Sequence, residues 1–140
     1  MSTATPNHTA SVTLDTSNKY RTTCTAGKHT FFVDEPQSLQ GTDTAPNPYE
    51  MLLASIGACK AITVRMYADR KGWPLESVQL DLEHSRPNGP LNAEQITISL
   101  SFTGDLDDTQ RARLKEIANK CPVQRTVTGE LTIDTILEVE

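Results

Sequence analysis

Apolar residues recur along this chain with a period that changes several times, and each change marks an element. From Ser11 to Asp15, Val12 and Leu14 alternate with polar neighbours, which predicts a strand. Ser17-Asn18 supplies a turn, Tyr20 to Thr25 returns as a second strand, Ala26-Gly27-Lys28 turns again, and His29 to Asp34 forms a third. Glu35-Pro36 ends the meander, because proline cannot donate to a ladder. A polar loop from Gln37 to Pro46 follows, with Gly41 inside it.

The period then lengthens. Asn47 is a good N-cap, Pro48 suits the first helical position, and Glu50 stands three residues after the cap, as in a capping box. The helix is predicted to run to about Lys71. Arg70 and Lys71 complement its dipole, and Gly72 ends it before Trp73-Pro74. Leu52, Ile56, Cys59, Ile62, Thr63 and Met66 form one stripe at spacings of three and four, the expected core face. Val78, Leu80 and Leu82 then alternate with polar residues, as do Ile96, Ile98, Leu100 and Phe102 across the turn Arg86-Pro87-Asn88-Gly89-Pro90, which predicts a hairpin. Asp107 and Asp108 open a second helix with a stripe at Leu114, Ile117 and Cys121. Pro122 breaks or kinks it and opens a short third helix to Thr128, closed by Gly129. Leu131, Ile133 and Leu137 predict a last strand. The order β-β-β-α-β-β-α-α-β, with two hairpins and few crossovers, indicates an α+β fold of antiparallel strands packed on helices. Residues 1–9 read as a disordered N-terminal tail and 10–140 as a single domain.

Composition narrows the function. The chain has 140 residues, 13 of them basic and 18 acidic, for a net charge of −5. That balance disfavours nucleic acid and an anionic membrane surface. No stretch reads as the ~20 apolar residues that a membrane span needs, and the polar start MSTATPNHTA does not read as a signal peptide. The expected location is therefore the cytoplasm. Hydrophobic residues make up only 36%, a thin inventory that calls for help from a partner subunit.

Phosphate-binding glycine loops, G-x-S-x-G, C-x-x-C and H-E-x-x-H are all absent. His8, His29 and His84 are scattered, and nothing in their spacing supports a metal site. Three cysteines, Cys24, Cys59 and Cys121, make a poor disulfide framework. Each has a plain reading as a small buried hydrophobe, and for Cys24 that reading stands. Cys121 precedes Pro122 at the start of a new helix, where free N–H groups lower a thiol's pKa. Cys59 sits mid-helix without such help, so a cation must approach it if it is a nucleophile.

Several stretches together resemble the OsmC/Ohr family, the osmotically inducible protein C and organic hydroperoxide resistance proteins. They are Asp34-Glu35-Pro36, Gly41-Thr42-Asp43, Asn47-Pro48-Tyr49-Glu50-Met51-Leu52-Leu53, Gly57-Ala58-Cys59 and Cys121-Pro122-Val123. Thr63 to Leu75 is similar to an OsmC-like branch in particular. The resemblance implies a thiol-dependent peroxidase that reduces organic hydroperoxides, with hydrogen peroxide as a second substrate. It makes Cys59 the peroxidatic cysteine, Cys121 the resolving one, and Glu50 the carboxylate that orients an active-site arginine. Arg21 best matches that arginine, with Lys19 and Arg125 as stand-ins. The resemblance also implies an intertwined homodimer, no cofactor, and a dithiol reductant, a lipoyl protein among the candidates. Met51, Ile56, Ile62 and Met66 are candidates to line an alkyl pocket, although a core role explains them too. The chain departs from the family pattern at Gln40 and Ala45, where glycines are common, at Lys60, where the peroxidase branches carry an aromatic, and at Gln124, where this branch often has histidine. The alternative is a redox-inactive dimeric binding protein with structural cysteines.

Overall fold

The computed structural model describes residues 7–138. Most of the expected tail, residues 1–6, lies outside them; residues 7–10 are exposed and carry no regular structure. The chain divides into two compact units, one ending at Leu52 and one beginning at Leu53.

The first unit is the predicted meander. Strands β1 (Ser11–Leu14), β2 (Thr22–Ala26) and β3 (His29–Val33) form an antiparallel sheet in that order. Cys24 on β2 stands between Val12 and Phe31 and is buried. The second strand begins later than the alternation predicts. Lys19 takes a left-handed φ of 57°, and the Arg21 N–H bonds the Asn18 carbonyl at 3.1 Å, so the turn extends to Arg21. After β3, Asp34 organises the loop. Its buried carboxylate accepts from the Glu35 N–H at 2.8 Å, the Thr42 hydroxyl at 2.5 Å, and the Thr44 N–H and hydroxyl at 3.1 and 3.0 Å. These bonds, the Thr42 hydroxyl's first, hold the Asp34 carboxyl well below the usual carboxylate range against the opposing effect of burial. Gly41 is required here, because a Cβ would stand 1.9 Å from the Glu35 carbonyl oxygen. Its neighbour Gln40, a departure from the family's glycine, sits at φ 69°, in the left-handed region that glycine adopts more easily.

Helix α1 (Pro48–Lys71) starts as predicted. The Asn47 N–H donates to Glu50 Oε1 at 2.9 Å and the Glu50 N–H to Asn47 Oδ1 at 2.8 Å, a reciprocal capping box. By length and mean hydropathy, 1.3 over its most apolar stretch, α1 passes for a membrane-crossing helix, which corrects the expectation that no stretch does. Length and composition alone do not separate such a span from the core helix of a globular unit, and in the second unit α1 packs as a core helix.

That unit adds the hairpin β4 (Leu75–Ser85) and β5 (Gln95–Gly104), then α2 (Asp108–Ala118) and α3 (Pro122–Thr128). Across the hairpin Val78 faces Phe102, Leu80 faces Leu100 and Leu82 faces Ile98. Val64, Ala68, Leu106, Leu114 and Ala118 form the buried core, flanked by Tyr67, Trp73, Val78, Leu100 and Phe102. Gly57 lets α1 approach the hairpin: a Cβ there would come within 2.9 Å of Leu82 Cδ1.

Three expectations are corrected. The buried face of α1 is Ile56, Gly57, Lys60, Val64 and Ala68, whereas Ile62 and Met66 of the predicted stripe are 54% and 59% exposed. Apolar residues lie on both sides of α1, and the ladder 56–60–64–68 escapes an apolar count because a lysine is one of its rungs. Cys121 is not on the α2 stripe. Helix α2 ends at Ala118, and Cys121, at φ −67° and ψ 130°, is the extended N-cap of α3, the backbone region favoured before a proline. The last predicted strand is absent among the described residues: 130–138 carry no regular structure, with Ile133, Ile136 and Leu137 82%, 83% and 91% exposed. A strand exists through its ladder bonds, and this segment has no strand neighbour among the described residues.

Leu114 is fully buried at the centre of the second unit's core. Leu114→Ala should therefore lower unfolding stability by about 2–5 kcal/mol, read as a lower urea midpoint at unchanged slope.

Candidate active site

Two of the predicted site residues meet in the second unit. Helix α1 carries Cys59 half-buried toward the start of α3, and the Cys-Pro junction aims the fully buried Cys121 thiol back at it. All three cysteines are free, and the Cys121 S–H is a hydrogen-bond donor to Cys59.

The surroundings split the two acidities. Burial alone would raise the Cys59 thiol. The Val123 N–H, the Cys121 thiol, the Thr63 hydroxyl and the positive Lys60 side chain outweigh it, so Cys59 ionises below the ordinary thiol range. Thr63 lies one turn further on, where its hydroxyl also bonds the Cys59 carbonyl at 2.7 Å. Cys121 moves the other way. Burial raises it, the Gln124 N–H at 3.3 Å from its sulfur lowers it, and donation to Cys59 together with the repulsion of a Cys59 thiolate raises it further. This reverses the sequence expectation. The free N–H groups at the start of α3 do favour a thiolate, but Val123 directs its N–H to Cys59, the mid-helix cysteine expected to lack such help.

Lys60 is the group that the apolar count passed over. It is only 3% exposed, and its Nζ donates to the Ala118 carbonyl at 3.0 Å and to the Gln124 side-chain oxygen. The sequence signal was its place four residues from both Ile56 and Val64. The two departures from the family pattern, Lys60 and Gln124, are thus hydrogen-bonded to each other.

Of the other assigned residues, Arg21, Glu50 and the stand-in Lys19 belong to the first unit. Arg21 stacks its guanidinium over the Phe32 ring, 4.2 Å from the centroid. Glu50 is exposed and engaged in its capping box. Among the described residues no ion pair joins Arg21 to Glu50. Lys19 and Arg125 are exposed. Of the expected pocket residues, Ile62 and Met66 line an open apolar cleft with Leu75 and Val78, while Ile56 is buried in the α1 core face. Among the described residues no three His, Cys, Asp or Glu side chains converge as metal ligands.

The split in acidity fixes an order of reactivity. A lowered pKa gives Cys59 more thiolate near neutrality, and a raised one gives Cys121 less. In the reduced protein, iodoacetamide should modify Cys59 first, with a midpoint below that of a free thiol, and Cys121 only at higher pH. Peptide mapping across a pH series reads both.

Comparison with known proteins places this geometry. The chain superposes on an OsmC-like protein from Mycoplasma pneumoniae with a TM-score of 0.74 at 17% identity, covering 89% of each chain. It superposes on an organic hydroperoxide resistance protein OsmC from Legionella pneumophila with a TM-score of 0.65 at 22% identity, over 91% of this chain and 93% of that one. For an organic hydroperoxide resistance protein from Elizabethkingia anophelis the TM-score is 0.66 at 16% identity, over 93% and 94%. At these identities the likeness shows a shared fold. Among curated proteins none matches the sequence. The family model for OsmC-like proteins matches residues 41–136, which takes in α1, the hairpin, both later helices and both site cysteines, and the chain belongs to that family.

Proposed function

We propose that this protein is a cysteine peroxidase that reduces organic hydroperoxides in the cytoplasm. One observation carries the reading: the Cys59 and Cys121 thiols stand close enough to influence each other's ionisation, and the more exposed of them is the more acidic. An ionised attacking thiol beside a protonated partner is the arrangement that a two-cysteine peroxidase needs. The solved proteins of the same fold that are named for organic hydroperoxide resistance support the substrate class.

The steps balance without a cofactor. The Cys59 thiolate attacks the distal oxygen of a hydroperoxide, the O–O bond breaks, and the alkoxide takes a proton to leave as alcohol. Cys59 becomes a sulfenic acid. The Cys121 sulfur displaces its hydroxyl as water and forms the disulfide. An external dithiol, a lipoyl protein in this proposal, returns both cysteines to thiols and is itself oxidised to a disulfide. Arg21 is the proposed guanidinium for the peroxide and Glu50 its carboxylate, supplied by either copy of a homodimer. The exposed Ile62 and Met66 and the uncovered Ile133, Ile136 and Leu137 support that dimer, since isolated chains rarely leave so much apolar surface in water.

The cysteines should be unequal. Cys59→Ser should abolish hydroperoxide consumption, because a hydroxyl is not ionised near neutral pH. Cys121→Ser should react once and then over-oxidise, gaining two oxygens at Cys59 by mass spectrometry, where the unmutated chain loses two hydrogens. Equal activity of the two variants, or unmutated protein whose thiols survive peroxide, would return the chain to the binding-protein reading.

Light scattering at micromolar concentration should give the mass of two chains. A monomer mass would count against the intertwined fold.

A further inference from the structure

We infer that Lys60 is the counter-ion of the Cys59 thiolate, a buried positive charge that adds to the donors around this cysteine, and that Gln124 and the Ala118 carbonyl are the groups that position it. The inference deepens the peroxidase reading and rests on it for its meaning, but its observations and its test are independent of peroxide.

A lysine almost never sits at 3% exposure without an anion, because taking an ammonium out of water is costly unless an opposite charge or good hydrogen bonds offset it. Lys60 has the bonds. Its Nζ reaches two neutral oxygens, the Ala118 carbonyl at the end of α2 and the Gln124 side chain in the first turn of α3. It lacks the carboxylate: among the described residues no Asp or Glu forms an ion pair with it. The acidic groups beside it are the two thiols, Cys59 next to it on α1 and Cys121 on the turn whose Gln124 it bonds, and its charge favours both thiolates, after the hydrogen bonds that each receives. Of these, Cys59 is the one held toward ionisation.

The positioning is built into both sides of the site. Residue 60 lies on the buried rung between Ile56 and Val64, so the lysine cannot leave for solvent without α1 turning. Gln124 acts on two members at once. Its N–H meets the Cys121 sulfur and its side-chain oxygen meets Lys60 Nζ, so the turn that sets the resolving thiol also sets the cation. A lysine suits this place better than an arginine would, because a compact point charge needs no planar partner. Both acceptors are neutral, so neither cancels the charge that the thiolate feels.

The test measures Cys59 alkylation by iodoacetamide against pH on the reduced full-length chain. Lys60→Met keeps the volume and removes the charge. Its Cys59 midpoint should rise, and the rate at pH 7 should fall roughly 3- to 10-fold, the size expected when a nearby opposite charge is lost. Lys60→Arg should restore part of the shift. Lys60→Gln retains a donor for the Ala118 carbonyl and stands in if the methionine variant does not fold. Arg21→Ala is the competing arm. An unchanged midpoint in a folded Lys60→Met or Lys60→Gln, or a rise in Arg21→Ala with none in the Lys60 variants, would overturn the inference. Failure of the peroxidase reading shows elsewhere, as thiols that survive hydroperoxide whatever the alkylation midpoint.

Discussion

A lysine side chain enclosed by protein is the constraint on which the second unit's geometry turns. Lys60 Nζ holds the last carbonyl of α2 and a side chain from the first turn of α3. Both bonds are needed, because a buried ammonium stripped of water is unstable until its donors are matched. Meeting that need ties α1 to the α2–α3 junction at one point. At this junction Pro122 opens α3, and the residue before it must be extended. Cys121 is that residue, and its neighbour across the junction is Cys59. The bonds that satisfy Lys60 and the turn that carries Cys121 thus share the same junction.

The same geometry makes the two sulfurs unlike. Both suffer burial, but the donors are shared unevenly. Val123, Thr63 and the Cys121 thiol all point at Cys59, while Cys121 receives the Gln124 N–H alone and sits next to a developing negative charge. Two coupled thiols cannot both ionise cheaply, so stabilising one thiolate holds the other protonated. Asp34 shows the opposite case in the first unit. A carboxylate with four donors is held ionised, and here those bonds fix the loop that carries Thr42 and Thr44.

Much of this was legible in the chain. The meander, the capped start of α1, the hairpin and the start of α2 at Asp107–Asp108 follow from alternation and cap chemistry, which act over a few residues and leave clear marks. The family motifs singled out Cys59 and Cys121. Three features were not legible, for different reasons. The face of α1 could not be chosen from apolar spacing, since Ile62 and Met66 on one side compete with Ile56 and Val64 on the other, and the deciding rung is a lysine. The acidity of Cys59 depends on an N–H donated from more than sixty positions further along, a contact that no local pattern encodes. The last strand is a pattern without a partner: Leu131 and Ile133 alternate as a strand does, but ladder bonds come from a neighbour, not from the sequence itself.

The proposed chemistry also sets how the two helices must share the work. Closing a disulfide requires the sulfurs to come to bonding distance in a defined torsion. Cys59 cannot supply that motion readily. It lies in the middle of a 24-residue helix whose buried rungs, Val64 and Ala68, are seated in the core. Cys121 can. It caps a helix of seven residues with no fully buried member, too short to be stable by its own hydrogen bonds. What holds its buried thiol is the Gln124 N–H at 3.3 Å, a bond made within the first turn of α3 itself. Oxidation of Cys59 to the uncharged sulfenic acid removes the negative charge that the lysine faces. In the proposed reaction, the step that calls for Cys121 to attack is thus the step that removes the repulsion holding it protonated.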